Sequence, residues 1–251
     1  MKIKVLCLNL FEGGLFWENI EAFVKKENPD ILCLQEVFNG GIDQPLNFQS
    51  MVRLTSLLPK YNFYYSPELC EIWPQGGGDG GNAVFSRFPI TSQETTFLHR
   101  EYQRIIRPKD EKDFSHYPKN LQHVIVDVNG KSLQVFNLHG IWGMDGRDTQ
   151  ERLQMSEIIV GKIQEKVPAV LMGDFNLKPD TQTIANIEKH MINIFKGDLT
   201  TTFNMRHKTN PGYATAVVDM FFATSDLKII AKLCPEDDVS DHKPLIVVIE
   251  M

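Results

Sequence analysis

The chain has 251 residues, of which 42% are hydrophobic and 23% charged, and its formal net charge is −6. This length and composition suffice for one large core, so we expect residues 1–251 to form a single domain. The acidic balance disfavours a globally basic nucleic-acid binder, although it leaves room for a local positive groove. The four cysteines include no CxxC pair, which argues against a zinc site and a disulfide framework.

The first residues alternate between polar and apolar side chains like a strand and do not resemble a secretory leader. No run in the chain approaches the ~18 consecutive apolar residues of a membrane-spanning helix. We therefore expect a soluble, cytoplasmic protein without a transmembrane segment, and we expect it to be a monomer.

The amino-terminal third predicts strands alternating with helices. We expect a strand at 3–10, a helix at 15–27, a strand at 31–34, a helix at 46–58 and a short strand at 61–65. The Asn-Pro pair at 28–29 ends the first helix. The order strand, helix, strand predicts a crossover unit with two neighbouring parallel strands.

The next segment contains two features whose interpretation the sequence leaves open. The glycine-rich run at 76–81 lacks the Gly-Lys-Ser/Thr ending of a P-loop, so it predicts either a flexible loop at the rim of a site or a plain surface loop. Residues 82–85 and 90–98 predict a strand pair joined at 86–89. The polar segment 99–121 predicts either a substrate-facing insertion or a solvated excursion.

The rest of the chain continues with mixed strands and helices. Strands are predicted at 124–128 and 133–138 around an Asn-Gly turn, then at 167–174, 216–223, 227–233 and 245–249, with helices at 148–165 and 180–190. Two similar runs of this kind favour an α/β fold with two packed mixed β-sheets flanked by helices. We therefore predict a four-layer α/β sandwich.

Polar side chains stand where apolar strands end. They are Asn9, Glu36, His139, Asp174 with Asn176, Asp219, and Asp241 with His242. A buried carboxylate needs a metal ion or a hydrogen-bond partner, and hard carboxylate and amide oxygens match Mg²⁺ or Mn²⁺ better than zinc. Each residue alone also fits a turn, a core histidine or a surface charge, but those explanations would have to hold for all of them together.

The clearest of these motifs is Gly173-Asp174-Phe175-Asn176, which follows the apolar run 170–172. Asp174 and Asn176 lie on the same side of an extended chain because side chains alternate with period two. An acceptor-only carboxylate beside an amide suits the holding of a water molecule against a phosphate.

In their order and spacing these motifs resemble the endonuclease/exonuclease/phosphatase superfamily, which includes deoxyribonuclease-I-like nucleases. The segments that carry the resemblance are Asn9, Leu34-Gln35-Glu36-Val37, His139, Gly173-Asp174-Phe175-Asn176, Asp219 and Ser240-Asp241-His242. The resemblance covers residues 3–249. It implies a divalent-metal-dependent hydrolase that cleaves a phosphoester P–O bond by direct attack of water, with a phosphodiesterase or nuclease as the leading expectation.

The resemblance also implies a role for each residue. Glu36 would be the principal ligand of Mg²⁺ or Mn²⁺, with Asn9 and Asp241 beside it. Asp174 would orient or deprotonate the attacking water, and Asn176 would hold that water or a phosphoryl oxygen. Asp219 would fix the tautomer of His242, and His242 and His139 would contact the phosphoryl oxygens. The sequence leaves open whether Asp174 or the Asp219–His242 pair is the general base.

Alternative functions also remain open at this stage. They are a sphingomyelinase-like phospholipid phosphodiesterase, a small-molecule phosphatase and a noncatalytic binding module that kept the fold. Trp73, Trp142, Arg147 and the basic run 206–208 suit either the rim of a substrate site or ordinary surface packing.

Overall fold

The computed structural model describes residues 1–164 and 166–251. Its strands are β1 (Lys2–Asn9), β2 (Ile31–Asn39), β3 (Asn62–Trp73), β4 (Gly76–Ser86), β5 (Ile90–His99), β6 (Gln103–Ile106), β7 (Lys119–Val128), β8 (Lys131–His139), β9 (Ala169–Asp174), β10 (Ile192–Asn193), β11 (Asp219–Ala223), β12 (Lys228–Leu233) and β13 (Leu245–Glu250). Its α-helices are α1 (Trp17–Glu27), α2 (Ser50–Leu57), α3 (Gln150–Lys162) and α4 (Gln182–Glu188), and short 3₁₀ turns lie at Leu46–Gln49 and Pro211–Thr215. The final residue of the helix predicted at 148–165 lies outside the described residues.

The strands form two mixed sheets. The seven-stranded sheet has the order β12-β13-β1-β2-β4-β3-β6, and the six-stranded sheet has the order β10-β11-β9-β8-β7-β5. β1 and β2 are parallel neighbours joined through α1, and β8 and β9 are parallel neighbours joined through α3. The predicted crossover at the amino terminus is therefore confirmed.

Three apolar layers hold the sandwich together. Valines such as Val5, Val84 and Val170 fill the space between the sheets, where β-branched side chains suit a pleated surface. The buried faces of α1 and α2 cover the outside of the seven-stranded sheet, and those of α3 and α4 cover the six-stranded sheet. The predicted four-layer α/β sandwich is confirmed, and each fully buried large side chain contributes about 1.5–3 kcal/mol through the hydrophobic effect.

A chain of buried amides crosses between the sheets. Gln35 Nε2 donates to Asn137 Oδ1 at 2.6 Å, and Asn137 Nδ2 donates to Gln122 Oε1 at 3.0 Å. Gln122 Nε2 donates to the carbonyl oxygen of Asn82 at 3.2 Å, and Asn82 Nδ2 donates to Glu68 Oε1 at 3.0 Å. A buried network of this extent fixes the relative position of the two sheets, and among its members Asn82 Oδ1 has no hydrogen-bond partner in the described residues.

The glycine-rich run at 76–81 is not a loop, so both loop interpretations were wrong. It forms the first half of β4, in which residues 76–81 pair with β3 and residues 79–81 also pair with β2. A Cβ atom at Gly81 would come within 2.1 Å of the carbonyl oxygen of Ser66. Only glycine permits this close approach of neighbouring backbones, which explains a glycine-rich central strand.

The strand pair predicted for 82–85 and 90–98 was also wrong as a pairing. Both segments are strands, but β4 lies in the seven-stranded sheet while β5 pairs with β7 at the edge of the six-stranded sheet. β2 and β3 already occupy both hydrogen-bonding edges of β4. The connection at 87–89 therefore passes from one sheet to the other.

The polar segment 99–121 is partly ordered into sheet structure, because β6 adds to the open edge of β3 as a parallel strand. Within the described residues, no helix has the length and apolar character needed to cross a lipid bilayer.

Candidate active site

A cavity of about 560 Å³ opens where strands from both sheets end. Of the eight residues predicted for the site, six line this cavity: Glu36, His139, Asp174, Asn176, Asp241 and His242. The other two, Asn9 and Asp219, are buried directly behind it and contact the lining residues. The structure therefore brings together residues from six separate segments of the chain.

Strand register fixes three of these side chains. β9 lies between β8 and β11, and Asp174 at its end pairs with His139 on one side and Asp219 on the other. The three residues are each at most 8% exposed. A one-residue slip in either pairing would turn a side chain to the opposite face of the sheet, so the hydrophobic pattern of these strands also sets the site.

Asp174 is the most connected carboxylate of the site. Its Oδ2 accepts a hydrogen bond from Asn9 Nδ2 at 3.3 Å and lies 3.7 Å from His139 Nε2 and 3.8 Å from His242 Nε2. The backbone N–H of Asn176 donates to its Oδ1 at 2.9 Å. Burial raises the pKa of Asp174 well above its usual range, although the nearby His242 opposes this.

Asp219 and His242 form a buried hydrogen-bonded pair, with Asp219 Oδ2 2.9 Å from His242 Nδ1. Thr202 Oγ1 holds the aspartate from behind by accepting its backbone N–H at 3.1 Å. Burial by itself lowers the pKa of His242, but the carboxylates of Asp219, Asp241 and Asp174 outweigh it and raise the pKa. The arrangement therefore favours the protonated imidazolium form of His242. Its Nδ1 is bonded to Asp219, and its Nε2 is left for the cavity.

His139 has the opposite tendency. Burial lowers its pKa well below the usual range, and the positive charges of Lys119 and His242 act in the same direction. The two histidines of the site thus favour different charge states, although both lie within 4 Å of the same Asp174 oxygen.

Glu36 stands at an irregularity in β2. The pairing with β4 shifts register between Leu34 and Val37, and Glu36 has a left-handed backbone with φ of 54°. Such a conformation is costly for a non-glycine residue and concentrates at functional positions. Here the bulge directs the carboxylate to Asn9 Nδ2 at 3.1 Å and to the backbone N–H of Glu12 at 2.6 Å.

Asp241 is held by a lysine that the sequence interpretation did not single out from the basic run 206–208. Lys208 Nζ lies 2.6 Å from Asp241 Oδ2 and within 6 Å of the ring centres of Phe11, Phe203 and Tyr213. Although burial opposes it, the carboxylates of Asp241 and Glu36 raise the pKa of Lys208. The ammonium group therefore lies in the field of both carboxylates.

Two sets of side chains in this region could hold a divalent cation. One is the predicted set of hard oxygen donors on Glu36, Asn9 and Asp241. The other is Asp174, Asp219 and His242, whose ligand atoms lie within 4.8 Å of one another. Both sets are already engaged within the protein, since Asp219 is bonded to His242 in the second, while in the first Asn9 Nδ2 donates to Glu36 and Lys208 pairs with Asp241. The first set offers only oxygen donors, which a Mg²⁺-like ion prefers to an imidazole nitrogen.

A buried arginine, also missed from sequence, supports the loop beside Asn176. Arg152 on α3 is 1% exposed and its guanidinium donates to the carbonyl oxygens of Ile141 and Asn176 at 2.9 and 3.1 Å. Asn176 itself has φ of 54° and donates through Nδ2 to the carbonyl oxygen of Gly140. The feature of the sequence that could have revealed this role was an arginine at a core-facing position of a predicted helix.

The far end of the cavity has a different character. We call it the aromatic wall, and it consists of Trp73, Arg107, Phe114, Tyr117 and Trp142. The Arg107 guanidinium lies 4.0 Å from the Trp73 ring centre and 4.8 Å from that of Phe114. Two of the residues left open by the sequence, Trp73 and Trp142, thus line the cavity, as do Arg147 and Lys208.

Comparisons with known proteins agree with this architecture. The model of the Endonuclease/Exonuclease/phosphatase family matches residues 16–242, and a search of curated proteins finds no match. Among solved structures, an endonuclease/exonuclease/phosphatase from Beutenbergia cavernae has a TM-score of 0.78 and 19% identity, covering 100% of this chain and 72% of its own.

Two further solved structures have similar scores. A mannosyl-6-phosphatase from Bacteroides thetaiotaomicron has a TM-score of 0.74 and 19% identity, covering 99% of this chain and 100% of its own. The human nocturnin catalytic domain with a bound sulfate has a TM-score of 0.70 and 18% identity, covering 99% and 94%. At these identities the structures establish a shared fold and not a shared substrate.

Proposed function

Because the chain belongs to the Endonuclease/Exonuclease/phosphatase family, whose members are hydrolytic phosphoesterases, we propose that it is a divalent-metal-dependent hydrolase that cleaves a phosphoester P–O bond by direct attack of water. The observation that carries this proposal is the convergence of Glu36, Asp174 and the Asp219–His242 pair on one cavity. These residues come from distant parts of the sequence, and ordinary packing does not require buried carboxylates there.

The cation would be held by Glu36 and Asp241, with Asn9 beside them. Their carboxylate and amide oxygens fit Mg²⁺ or Mn²⁺, and the negative charge of Asp241 and Glu36, which also raises the pKa of Lys208, stabilises a cation beside them. When bound, a divalent ion supplies Lewis-acid stabilisation of phosphoryl and leaving-group oxygens.

Asp174 is the proposed acceptor of the proton from the attacking water. Its raised pKa suits a general base, since a more basic carboxylate accepts a proton more readily near neutral pH. Asn176, whose backbone N–H holds Asp174 at 2.9 Å, would help to orient the water. The alternative base, His242, is surrounded by three carboxylates that favour its protonated form.

The two histidines would act on the phosphoryl group. A protonated His242, held through Nδ1 by Asp219, would present Nε2–H to a phosphoryl oxygen as negative charge develops there. His139 would donate a hydrogen bond in its neutral form. Preorganised donors of this kind stabilise the transition state more than the bound substrate.

Direct attack by water is supported by the lining of the cavity. Among the described residues that line it, there is no serine, threonine or cysteine to act as a covalent nucleophile. Cys7 and Cys33 are buried in the core, where burial raises their thiol pKa values and keeps them in the unreactive thiol form.

The finer substrate assignment made from sequence, a phosphodiester in nucleic acid, stays a prediction. So do the cytoplasmic location, the monomeric state and the choice between Mg²⁺ and Mn²⁺. The mannosyl-6-phosphatase with this fold supports including phosphomonoesters among the candidates.

The direct test compares purified wild type with Glu36→Gln on bis(p-nitrophenyl) phosphate and p-nitrophenyl phosphate, with Mg²⁺, Mn²⁺ or EDTA. We expect metal-dependent release of nitrophenol that EDTA abolishes and that Glu36→Gln lowers at least about 100-fold, the equivalent of a few kcal/mol of transition-state stabilisation. Glu27→Gln is the matched control, since Glu27 is also half-buried but pairs with Lys4 away from the cavity. Metal-independent turnover, or full activity in Glu36→Gln, would contradict the proposal.

A further inference from the structure

The aromatic wall is electrically balanced at its centre. Arg107 Nη1 lies 3.4 Å from Glu71 Oε1, and Arg107 Nη2 lies 3.7 Å from Glu12 Oε1. With the rings of Trp73 and Phe114 within 5 Å of its guanidinium and two carboxylates beside it, Arg107 is both neutralised and held in place. A second phosphate placed against this wall would therefore meet two carboxylates together with the one arginine.

The same wall carries two buried donors beside one carboxylate. Trp73 Nε1 and Tyr117 Oη make no well-formed hydrogen bond to a described residue, and the acceptor that lies near both of them is the Glu71 carboxylate. A buried donor left unsatisfied costs roughly 1–3 kcal/mol. Glu71 is 6% exposed and lines the cavity, so these donors and Arg107 hold its carboxylate where it can accept a hydrogen bond from a hydroxyl group of a ligand.

The charges of the whole cavity disfavour a polyanion. Seven acidic residues line it (Glu12, Glu36, Glu68, Glu71, Asp145, Asp174 and Asp241) against five lysines and arginines (Arg107, Lys119, Arg147, Lys178 and Lys208) and His242. Four of the five lysines and arginines are in ion pairs with carboxylates of the protein, and His242 is hydrogen-bonded to Asp219. Nucleic-acid binding depends on lysines and arginines that are free to replace counterions along a phosphate backbone.

Size and composition favour a small molecule instead. The volume of about 560 Å³ lies within the range of pockets that hold small ligands, which combine aromatic walls with a few fixed polar groups. Aromatic faces pack against the C–H groups of a ligand ring. Fixed carboxylates accept hydrogen bonds from the hydroxyl groups of the ligand, and arginine, indole and phenol groups donate hydrogen bonds to those hydroxyl groups.

From these observations we propose that the substrate is a small phosphoester whose alcohol part is an uncharged, hydroxylated ring of the sugar type, seated on the aromatic wall while its phosphate lies between Glu36, Asp174 and His242. This proposal rests on the proposed function and adds the substrate class. Arg107 and Tyr117 act as positioning residues, since they hold the Glu71 carboxylate that accepts from the ring hydroxyls and do not act on the reacting phosphorus.

The test measures kcat and KM with a hexose phosphate, glycerol 3-phosphate, an oligothymidylate and sphingomyelin micelles, all with Mn²⁺. We expect kcat/KM for the hexose phosphate to exceed that for glycerol 3-phosphate at least tenfold and to exceed the values for the oligonucleotide and the lipid. A higher kcat/KM for the oligonucleotide or the lipid overturns the proposal, as does equal use of hexose and glycerol phosphates.

Variants of the wall sharpen the test. Arg107→Met and Tyr117→Phe should reduce the preference for hexose phosphate over glycerol 3-phosphate at least fivefold, mainly through a higher KM. Arg87→Met is the matched control, because Arg87 likewise lies beside a carboxylate (Asp30) and over an aromatic ring (Tyr61), but outside the cavity. Tyr117→Phe removes a single hydroxyl group and so remains informative if Arg107→Met does not fold. An unchanged preference in Tyr117→Phe and in a folded Arg107→Met contradicts the proposal.

The two proposals fail in different ways. If the wild type hydrolyses several of these esters with metal and Glu36→Gln does not, but the hexose phosphate has no advantage, the hydrolase stands and the substrate class is wrong. If the wild type hydrolyses none of the esters and neither nitrophenyl compound, the proposed function and the substrate class both fail.

Discussion

The two ends of the cavity are built from different parts of the fold. At the catalytic end, His139, Asp174 and Asp219 lie at strand termini that are locked in register. At the aromatic wall, Arg107, Phe114 and Tyr117 come from the segment between β6 and β7, and Trp142 comes from the segment after β8. Strand termini are held by the ladder hydrogen bonds of the sheet, whereas connecting segments vary more freely in length and sequence.

This contrast suggests how the work of the cavity is divided. Five of the eight residues of the catalytic end lie on strands of the rigid sheets (Asn9, Glu36, His139, Asp174 and Asp219), as catalytic geometry demands. Four of the five residues of the aromatic wall lie on connecting segments, where residues that select a substrate can vary. Changes at the catalytic end should therefore act on kcat with every substrate, while changes at the wall should act on KM and on preference.

The largest effect is expected from Asp174→Asn. An amide of the same shape keeps the packing but cannot accept the proton of water, so we expect kcat to fall by about 10²–10⁴-fold with every ester tested. The midpoint of thermal unfolding should not fall, since burial penalises the charged form of Asp174 and the amide carries no charge. A loss confined to one substrate would mean that Asp174 selects substrates and would break the proposed division.

Asp219→Asn should have the next largest effect. Asp219 does not line the cavity and acts through His242, whose Nδ1 lies 2.9 Å from the Asp219 carboxylate. The variant therefore makes the protonated form of His242 less stable without removing a group that touches the substrate. Partners of this kind are typically worth about 10–100-fold in activity. The nitrogen chemical shifts of the His242 ring should report a change of protonation, whereas a purely structural role for Asp219 would leave the shifts unaltered while stability fell.

The same contrast explains how much could be predicted from sequence. Asp174 and Asn176 follow an apolar strand, and each of the other catalytic residues also stands beside a recognisable strand, so periodicity located them and the order of motifs connected them. The sheets themselves followed from the alternation of strands and helices. Nothing in a single sequence, however, says which strand edges pair when the strands are far apart along the chain.

That limit accounts for the two main errors. The glycines of β4 signalled a loop because glycine is common in loops, but here they allow close backbone approach within a sheet. β4 and β5 were paired because they are adjacent in sequence, while the fold places them in different sheets. The aromatic wall was not assembled from sequence for the same reason, since Trp73 and Arg107 come together only through the pairing of β3 with β6.

Lys208→Met tests whether this lysine opposes cation binding at the catalytic end. The Lys208 ammonium lies 2.6 Å from Asp241, where it competes with a cation for that carboxylate. We expect the variant to bind Mn²⁺ about 3–10-fold more tightly by calorimetry, which corresponds to roughly 1 kcal/mol, a typical size for one partly buried ion pair. Lys228→Met, which removes an exposed ion pair with Glu250, should leave the affinity as it is. Weaker binding in Lys208→Met would instead show that the lysine orients Asp241 for the metal.

The smallest expected effect is the coupling between the two ends, and it is the most direct test of their independence. Tyr117 and Asp219 share no hydrogen-bond partner, so the free-energy effects of Tyr117→Phe and Asp219→Asn on kcat/KM for the hexose phosphate should add within about 0.5 kcal/mol. Asp174→Asn and Asp219→Asn both act through groups around His242, and their combined effect should fall well short of the sum. Strong coupling between Tyr117→Phe and Asp219→Asn would mean that the aromatic wall helps to align the phosphate. The choice of substrate would then change kcat as well as KM.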